Sequence, residues 1–129
     1  MDFIHDIKTN TLVYPTQSPF VIQNLPDAHL IGRTHFAVPF NLTNAQTLRY
    51  FNYPVPQIIK DYDWPIEPGR RPLAHQITMA NFSVLHRRMF NLSDMGTMKT
   101  LSTLWAADWL MKQYPEGQFR ALIVAPLST

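Results

Sequence analysis

The chain has 129 residues, of which 46% are hydrophobic and 16% charged, a composition typical of a globular protein and not of a disordered one. The absence of cysteine excludes disulfides and thiolate metal sites, and the five histidines lie too far apart to form a short ligand pair. The net charge is only +2, no apolar run approaches the ~20 residues that span a bilayer, and the first residues lack the pattern of a signal peptide. We therefore expect a cytoplasmic protein without a metal site of its own.

Residues 1–53 contain short apolar runs separated by Pro, Asn, Asp and Gly, which is the pattern of short strands joined by turns. The runs are Thr11–Tyr14, Phe20–Ile22, His29–Ile31 and His35–Phe40. The segment from Asn41 to Asn44 then offers a cap for a helix near 44–52. This part of the chain is predicted to be an accessory region, rich in β-structure and with one helix.

Five prolines fall between Pro54 and Pro72. Because proline fixes φ and lacks a backbone donor, a long regular element is not expected in this segment. Tyr62 and Trp64 lie within it and indicate an ordered crossing over a surface. We predict that residues 54–71 are the boundary between two units.

After Pro72 the pattern becomes helical. Apolar residues recur at three- and four-residue intervals, which predicts an amphipathic helix to about Arg87. The short apolar stretch Met89–Leu92 and the turn-rich loop Ser93–Thr97 come next. The loop thus follows a strand-like stretch.

A second helix is predicted from Thr100 to Gln113, because helix-forming residues continue until Pro115 and Gly117 end them. The segment Ala121–Ala125 is continuously apolar, as expected for a strand buried on both faces in a parallel sheet. The order of strand, loop, helix and strand predicts a parallel β-α-β unit.

The loop before the second helix has the character of an anion site, since the free amides of a first helical turn and the helix dipole both attract phosphate. Lys99 would supply positive charge to β- and γ-phosphates, and Thr100 would offer a hydroxyl to Mg²⁺. In the pattern G-x-x-x-x-G-K-[ST], Ser93 and Met98 stand at the two glycine positions. A Lys-Thr pair also occurs at ordinary helix starts, so the pattern alone leaves both interpretations open.

The wider stretch Leu92–Leu101 resembles the Asp-Met-Gly-x-Gly-Lys-Thr nucleotide loop of Swi/Snf-like superfamily 2 helicases and translocases, most closely the versions carried by bacteriophages. Arg71–Gln76 resembles the glutamine motif upstream of that loop, and Ala121–Thr129 resembles the motif Ia of the family. The order and the spacing of the three motifs in this chain agree with those in the family. The resemblance covers residues 72–129.

This resemblance implies an α/β fold in which residues 72–129 form the start of a RecA-like P-loop NTPase lobe, preceded by a small α+β accessory region. It implies ATP and Mg²⁺ as cofactors, and ATP-driven helicase or translocase activity on DNA, or on RNA, in the host cytoplasm if the gene is from a phage. The residues implied at the nucleotide are Gln76, Asp94, Gly96, Thr97, Lys99 and Thr100.

Individual roles follow from the same resemblance. Lys99 would hold the phosphates, Thr100 the magnesium ion, and Gln76 the adenine edge, where its amide can both donate and accept. Ser128 and Thr129 would lie near the nucleic-acid backbone.

Two departures from the family bear on activity. Met98 replaces a glycine where the backbone must approach the phosphates closely, and a positive φ there would add strain of about 1–2 kcal/mol. The acidic Asp-Glu motif and the second lobe with its arginine do not occur before Thr129. We therefore expect a truncated or partial helicase, partnered by the remaining portion and unable to turn over ATP by itself.

Two other functions fit parts of the sequence. A non-catalytic module could bind DNA or a protein through the basic residues Arg70, Arg71, Arg87 and Arg88. A small P-loop kinase would also use the loop, but it would leave the glutamine and motif Ia segments unexplained.

Three residues of the second predicted helix are of types that often have functional roles, but a structural role is favoured for each of them. Trp105 and Trp109, four residues apart, are predicted to belong to the core. Asp108 is predicted to face solvent or to pair with Lys112 at i+4, without a catalytic role.

Overall fold

The computed structural model describes residues 1–91 and 99–124, with the side chain of Lys99 excepted. The chain divides into two units. The first unit comprises Met1–Lys60 and Leu85–Met89, and the second comprises Asp61–Val84 and Phe90–Thr129. Within the described ranges, no helix combines the length and the apolar character needed to cross a membrane.

The first unit is built on a four-stranded sheet in the order β1-β2-β4-β3, with every neighbouring pair antiparallel. The strands are β1 (Ile4–Asp6), β2 (Thr11–Tyr14), β3 (His29–Ile31) and β4 (His35–Pro39). Residues 7–10 connect the first two strands and residues 32–34 the last two. Such turns are too short for the crossover of about a dozen residues that parallel neighbours require, so antiparallel pairing follows.

Each of the two turns has a residue that tolerates the left-handed backbone conformation found there. In the β1–β2 turn, Asp6 Oδ1 accepts a hydrogen bond from the Lys8 amide at 3.0 Å, and Asn10 adopts a φ of 51°. In the β3–β4 turn, Gly32 adopts a φ of 61°. Asn and Gly tolerate this left-handed conformation at the least cost, which is why the runs of β-forming residues stop there.

Two helices complete the first unit, α1 (Pro19–Ile22) and α2 (Leu42–Tyr50). The sequence predicted a strand over Phe20–Ile22, and that prediction was wrong. Pro19 occupies the first helical position, where its fixed φ and missing N–H favour a helical turn.

Helix α2 confirms the helix predicted near 44–52, with a start two residues earlier. Asn41 Oδ1 accepts from the Asn44 amide at 2.9 Å and caps the N-terminus. At the other end Asn52 has a φ of 63°, and the amides of Asn52 and Tyr53 donate to Arg49 O and Leu48 O. This Schellman arrangement satisfies the last carbonyls and ends the helix.

The first unit has an aromatic and aliphatic core between the sheet and α2. Its largest fully buried side chains are Leu12, Tyr14, Leu25, Phe36, Val38, Leu48 and Ile59. Tyr14 stacks on Phe36 with ring centroids 5.3 Å apart, and its hydroxyl donates to Pro54 O at 2.6 Å. Burial raises the pKa of the Tyr14 hydroxyl above its ordinary range, so this donor is retained at neutral pH.

The second unit contains helices α3 (Ala74–Leu85, whose last residue belongs to the first unit) and α4 (Lys99–Gln113). Both confirm helices predicted from the sequence, within two residues at each end. Trp105 and Trp109 are buried, as predicted. Trp105 Nε1 donates to Pro65 O at 3.1 Å, and the Trp64 ring meets the Trp105 ring edge-on at 5.0 Å. The proline-rich segment is thus ordered by contacts to α4.

The predicted α/β fold, with a parallel β-α-β start of a RecA-like lobe in residues 72–129, was wrong. The fold is α+β, and in the described part of the chain every strand belongs to the antiparallel sheet of the first unit. Residues 89–91 and 121–124 form no strand. The side chains of Leu122, Ile123 and Val124 are 89, 66 and 87% exposed. A continuous apolar run predicts a buried strand only if neighbouring strands pair with it, and none of the described strands pairs with residues 121–124.

Candidate functional site

The predicted nucleotide loop is only partly described. Asp94, Gly96 and Thr97 lie outside the described residues, as do Met98 and the predicted nucleic-acid residues Ser128 and Thr129. Lys99 and Thr100 are the first two residues of α4, and the Thr100 side chain is exposed. They therefore occupy the helix turn whose amides have no partner within the helix.

Gln76 has a structural role at the start of α3. Its side chain is buried, and Oε1 accepts a hydrogen bond from the Leu73 amide at 2.8 Å. Since Leu73 immediately precedes the first helical residue, this is the reciprocal half of a capping box, in which a glutamine at the third position satisfies the cap amide.

A pocket of about 560 Å³ in the second unit brings Gln76 together with Leu101. Leu101 directly follows Thr100, so the predicted glutamine motif and the first turn of α4 line one cavity. Arg70 and Arg71 lie at the same pocket, both exposed. Its volume falls within the ~300–1,000 Å³ of ordinary small-molecule sites.

The lining of this pocket suits a nucleotide. Leu73 and Leu101 offer apolar surface for a base, while Arg70 and Arg71 offer positive charge for phosphates. Glu67 pairs with Arg70 at 3.1 Å, but both side chains are largely exposed, so water screens that pair. Among the described residues no three His, Asp or Glu side chains are grouped to hold a metal.

The basic residues that the sequence grouped together are divided between the units. Arg70 and Arg71 belong to the second unit, whereas Arg87 and Arg88 belong to the first. There they line a different pocket, of about 600 Å³, together with residues of α2. Sequence reasoning missed this second pocket, because nothing local to residues 85–88 indicates that they lie beside α2.

Asp108 confirms the predicted pairing and adds a partner. Its carboxylate lies 3.1 Å from Lys112 Nζ and accepts a hydrogen bond from the Tyr62 hydroxyl at 2.5 Å. The Tyr62 hydrogen bond and the Lys112 ammonium lower the pKa of Asp108. Burial, together with the hydrogen bond to Asp108, raises the pKa of the Tyr62 hydroxyl, so it remains a donor at neutral pH. This cluster connects the proline-rich segment to α4.

We expect Tyr62→Phe to reduce the free energy of unfolding at pH 7 by up to about 1 kcal/mol, a charge-assisted hydrogen bond discounted for its exposure. Because the pKa of Asp108 is lower in the folded state, its stabilisation is present above the unfolded pKa of about 3.9 and is lost as the pH falls through the folded value. Urea denaturation should therefore show a smaller difference from wild type near pH 2 than at pH 7.

Tyr114→Phe is the matched control, because Tyr114 is also in the second unit and keeps its stacking on Phe119 when the hydroxyl is removed. It should leave stability within about 0.5 kcal/mol of wild type at both pH values. An equal loss for Tyr62→Phe at both pH values would show that the charge of Asp108 is not involved.

The two pockets differ in chemistry. The pocket of the second unit joins a buried glutamine to the start of α4, and the pocket of the first unit joins two arginines to a helix that carries an exposed tyrosine. Comparison of the chain with family models, with curated proteins and with solved structures gave no match.

Proposed function

We propose that the second unit binds ATP with Mg²⁺, as part of an ATP-dependent DNA helicase or translocase of the Swi/Snf-like type that works in the cytoplasm. The observation that supports this most is the pocket shared by Gln76 and Leu101. The two are 25 positions apart in the sequence, and each adjoins or belongs to a motif that resembles the family. Bound ATP would supply the phosphoanhydride bond whose hydrolysis drives movement along DNA.

Different residues would contact the base, the phosphates and the magnesium ion. Leu73 and Leu101 would contact the base, and the Gln76 side chain would meet the adenine edge. At the first turn of α4, Lys99 and the backbone amides of the helix N-terminus would bind the phosphates. Thr100 would offer its hydroxyl to the magnesium ion.

A titration of the whole chain with a fluorescent ATP analogue and Mg²⁺, followed by anisotropy, tests this proposal. Lys99→Ala should weaken binding by roughly ten- to one-hundred-fold, the cost of one charge-assisted contact. Met98→Gly should strengthen it by roughly five- to thirty-fold, the gain of about 1–2 kcal/mol that follows where nucleotide binding requires a positive φ at position 98.

Lys112→Ala is the matched control, since it removes a lysine from the other end of the same helix. It should leave the affinity for the analogue unchanged. Equal weakening by Lys99→Ala and Lys112→Ala would show that the loss of affinity comes from the change in net charge and not from a contact of Lys99. No binding by either the natural chain or the Met98→Gly variant would reject the proposal and favour a non-catalytic binding module.

A further inference from the structure

The pocket of the first unit is not used by the proposed nucleotide site. One of its walls is a face of α2, because Thr43, Gln46, Thr47 and Tyr50 follow the spacing i, i+3, i+4, i+7. The segment Leu85–Arg88 forms the facing part of the lining. The side chains of this helix face carry hydroxyl and amide groups.

The charge around this pocket is positive. Arg87 and Arg88 are exposed, and Arg87 Nε donates to Gln46 Oε1 at 3.4 Å, which holds its guanidinium beside α2. No acidic residue is among the described residues that line the pocket. The first unit contains six Lys and Arg residues against three Asp, a net charge of +3, whereas the second unit carries −1. The first unit is therefore the one that attracts an anionic ligand.

An exposed aromatic ring stands at the end of the same helix face. Tyr50 is 81% exposed, which is unusual for a large aromatic side chain. Its ring meets Phe51 edge-on at 5.1 Å, and Phe51 in turn meets Phe20 edge-on at 5.5 Å. The Tyr50 side chain thus contacts an aromatic neighbour while most of its surface remains open to solvent, as a stacking surface requires.

We propose that this pocket binds a short segment of single-stranded nucleic acid, with one base stacked on Tyr50 and the neighbouring phosphates on Arg87 and Arg88. Fixed aromatic rings combined with a positive groove are the means by which proteins hold single strands without sequence preference. A duplex keeps its bases stacked on one another and offers Tyr50 no free base face. The site lies within the first unit and does not rest on the binding of ATP by the second.

Fluorescence anisotropy of the whole chain with a labelled oligodeoxynucleotide of about 12 nucleotides, within the ~4–16 that one binding fold covers, tests the stacking contact. Tyr50→Leu should weaken binding about tenfold or more, and Tyr50→Phe should remain close to wild type because it keeps the ring. The duplex of the same sequence should bind more weakly. Equal affinity for the duplex, or no effect of Tyr50→Leu, would overturn the proposal.

The phosphate contacts are tested by salt dependence. Arg88→Gln should lower the slope of log affinity against log salt by about 0.7, the value for one phosphate contact on a single strand. Arg33→Gln removes the same charge from the first unit at an exposed position outside the pocket, and its slope should match wild type. Equal changes for both variants would mean that general charge attraction, not this pocket, binds the strand. Since this titration contains no ATP or ATP analogue, its result is separate from that of the ATP titration.

Discussion

Replacement of Trp105 by alanine is expected to lower the free energy of unfolding of the second unit by about 3–5 kcal/mol, the range for loss of a buried aromatic ring. Trp105 is 2% exposed, and its ring meets Trp64 edge-on. The substitution also removes the indole N–H that donates to Pro65 O at 3.1 Å. The cavity, the lost ring contact and the unpaired carbonyl all act in the same direction.

Urea denaturation followed by circular dichroism of the helices measures this loss without relying on the removed fluorophore. Leu104→Ala is the matched control, because Leu104 is the preceding residue of α4 and is exposed. It should cost less than about 1 kcal/mol. A similar small cost for Trp105→Ala would mean that α4 is not anchored through this ring. Because α4 begins at Lys99, the loss of its anchor should also weaken ATP binding at its first turn.

The sequence predicted those elements whose limits are set by neighbouring residues. Helix α2 begins at Asn41, whose side chain caps it, and ends at Asn52, which adopts the left-handed conformation. Helix α4 ends shortly before Pro115 for an equally local reason. The strand runs at Thr11–Tyr14 and His29–Ile31 were also found where predicted.

The failures came where a short apolar run had to be interpreted without knowledge of its partners. Phe20–Ile22 forms a helical turn after Pro19, although its composition suits a strand. Strand β1 (Ile4–Asp6) was missed because its three residues include only one apolar side chain, and it is stabilised by pairing with β2. Residues 121–124 have the composition of a buried strand, but they pair with none of the strands in the described part of the chain.

The candidate sites were predictable only in part, because each combines residues that are distant in the sequence. Gln76 and Leu101 could be singled out by motif, but their shared pocket results from the folding of the second unit. The helix face that ends at Tyr50 has a regular spacing. Arg87 and Arg88, which line the same pocket, are distant in the sequence, and only the fold brings them to this helix. Local patterns therefore identified candidate residues and could not bring them together.

The sheet of the first unit gives the second large expected effect. Phe36→Ala is expected to lower the free energy of unfolding of that unit by about 3–5 kcal/mol. Phe36 is 0% exposed, lies on the strand that pairs with both β2 and β3, and contacts the rings of Tyr14 and Tyr53. Removing the ring opens a cavity between the sheet and the residues that follow α2, where repacking is restricted by the two tyrosines.

Leu30→Ala provides the comparison, since Leu30 is paired with Phe36 across the sheet but is 61% exposed on the edge strand. It should cost less than about 1 kcal/mol in the same urea denaturation. Comparable losses at the two positions would mean that strand pairing, and not burial of the Phe36 ring, stabilises the sheet. Because residues 85–88 and α2 belong to the same unit, Phe36→Ala should also lower the affinity for single-stranded DNA once the unit is partly unfolded, whereas Leu30→Ala should leave that affinity unchanged.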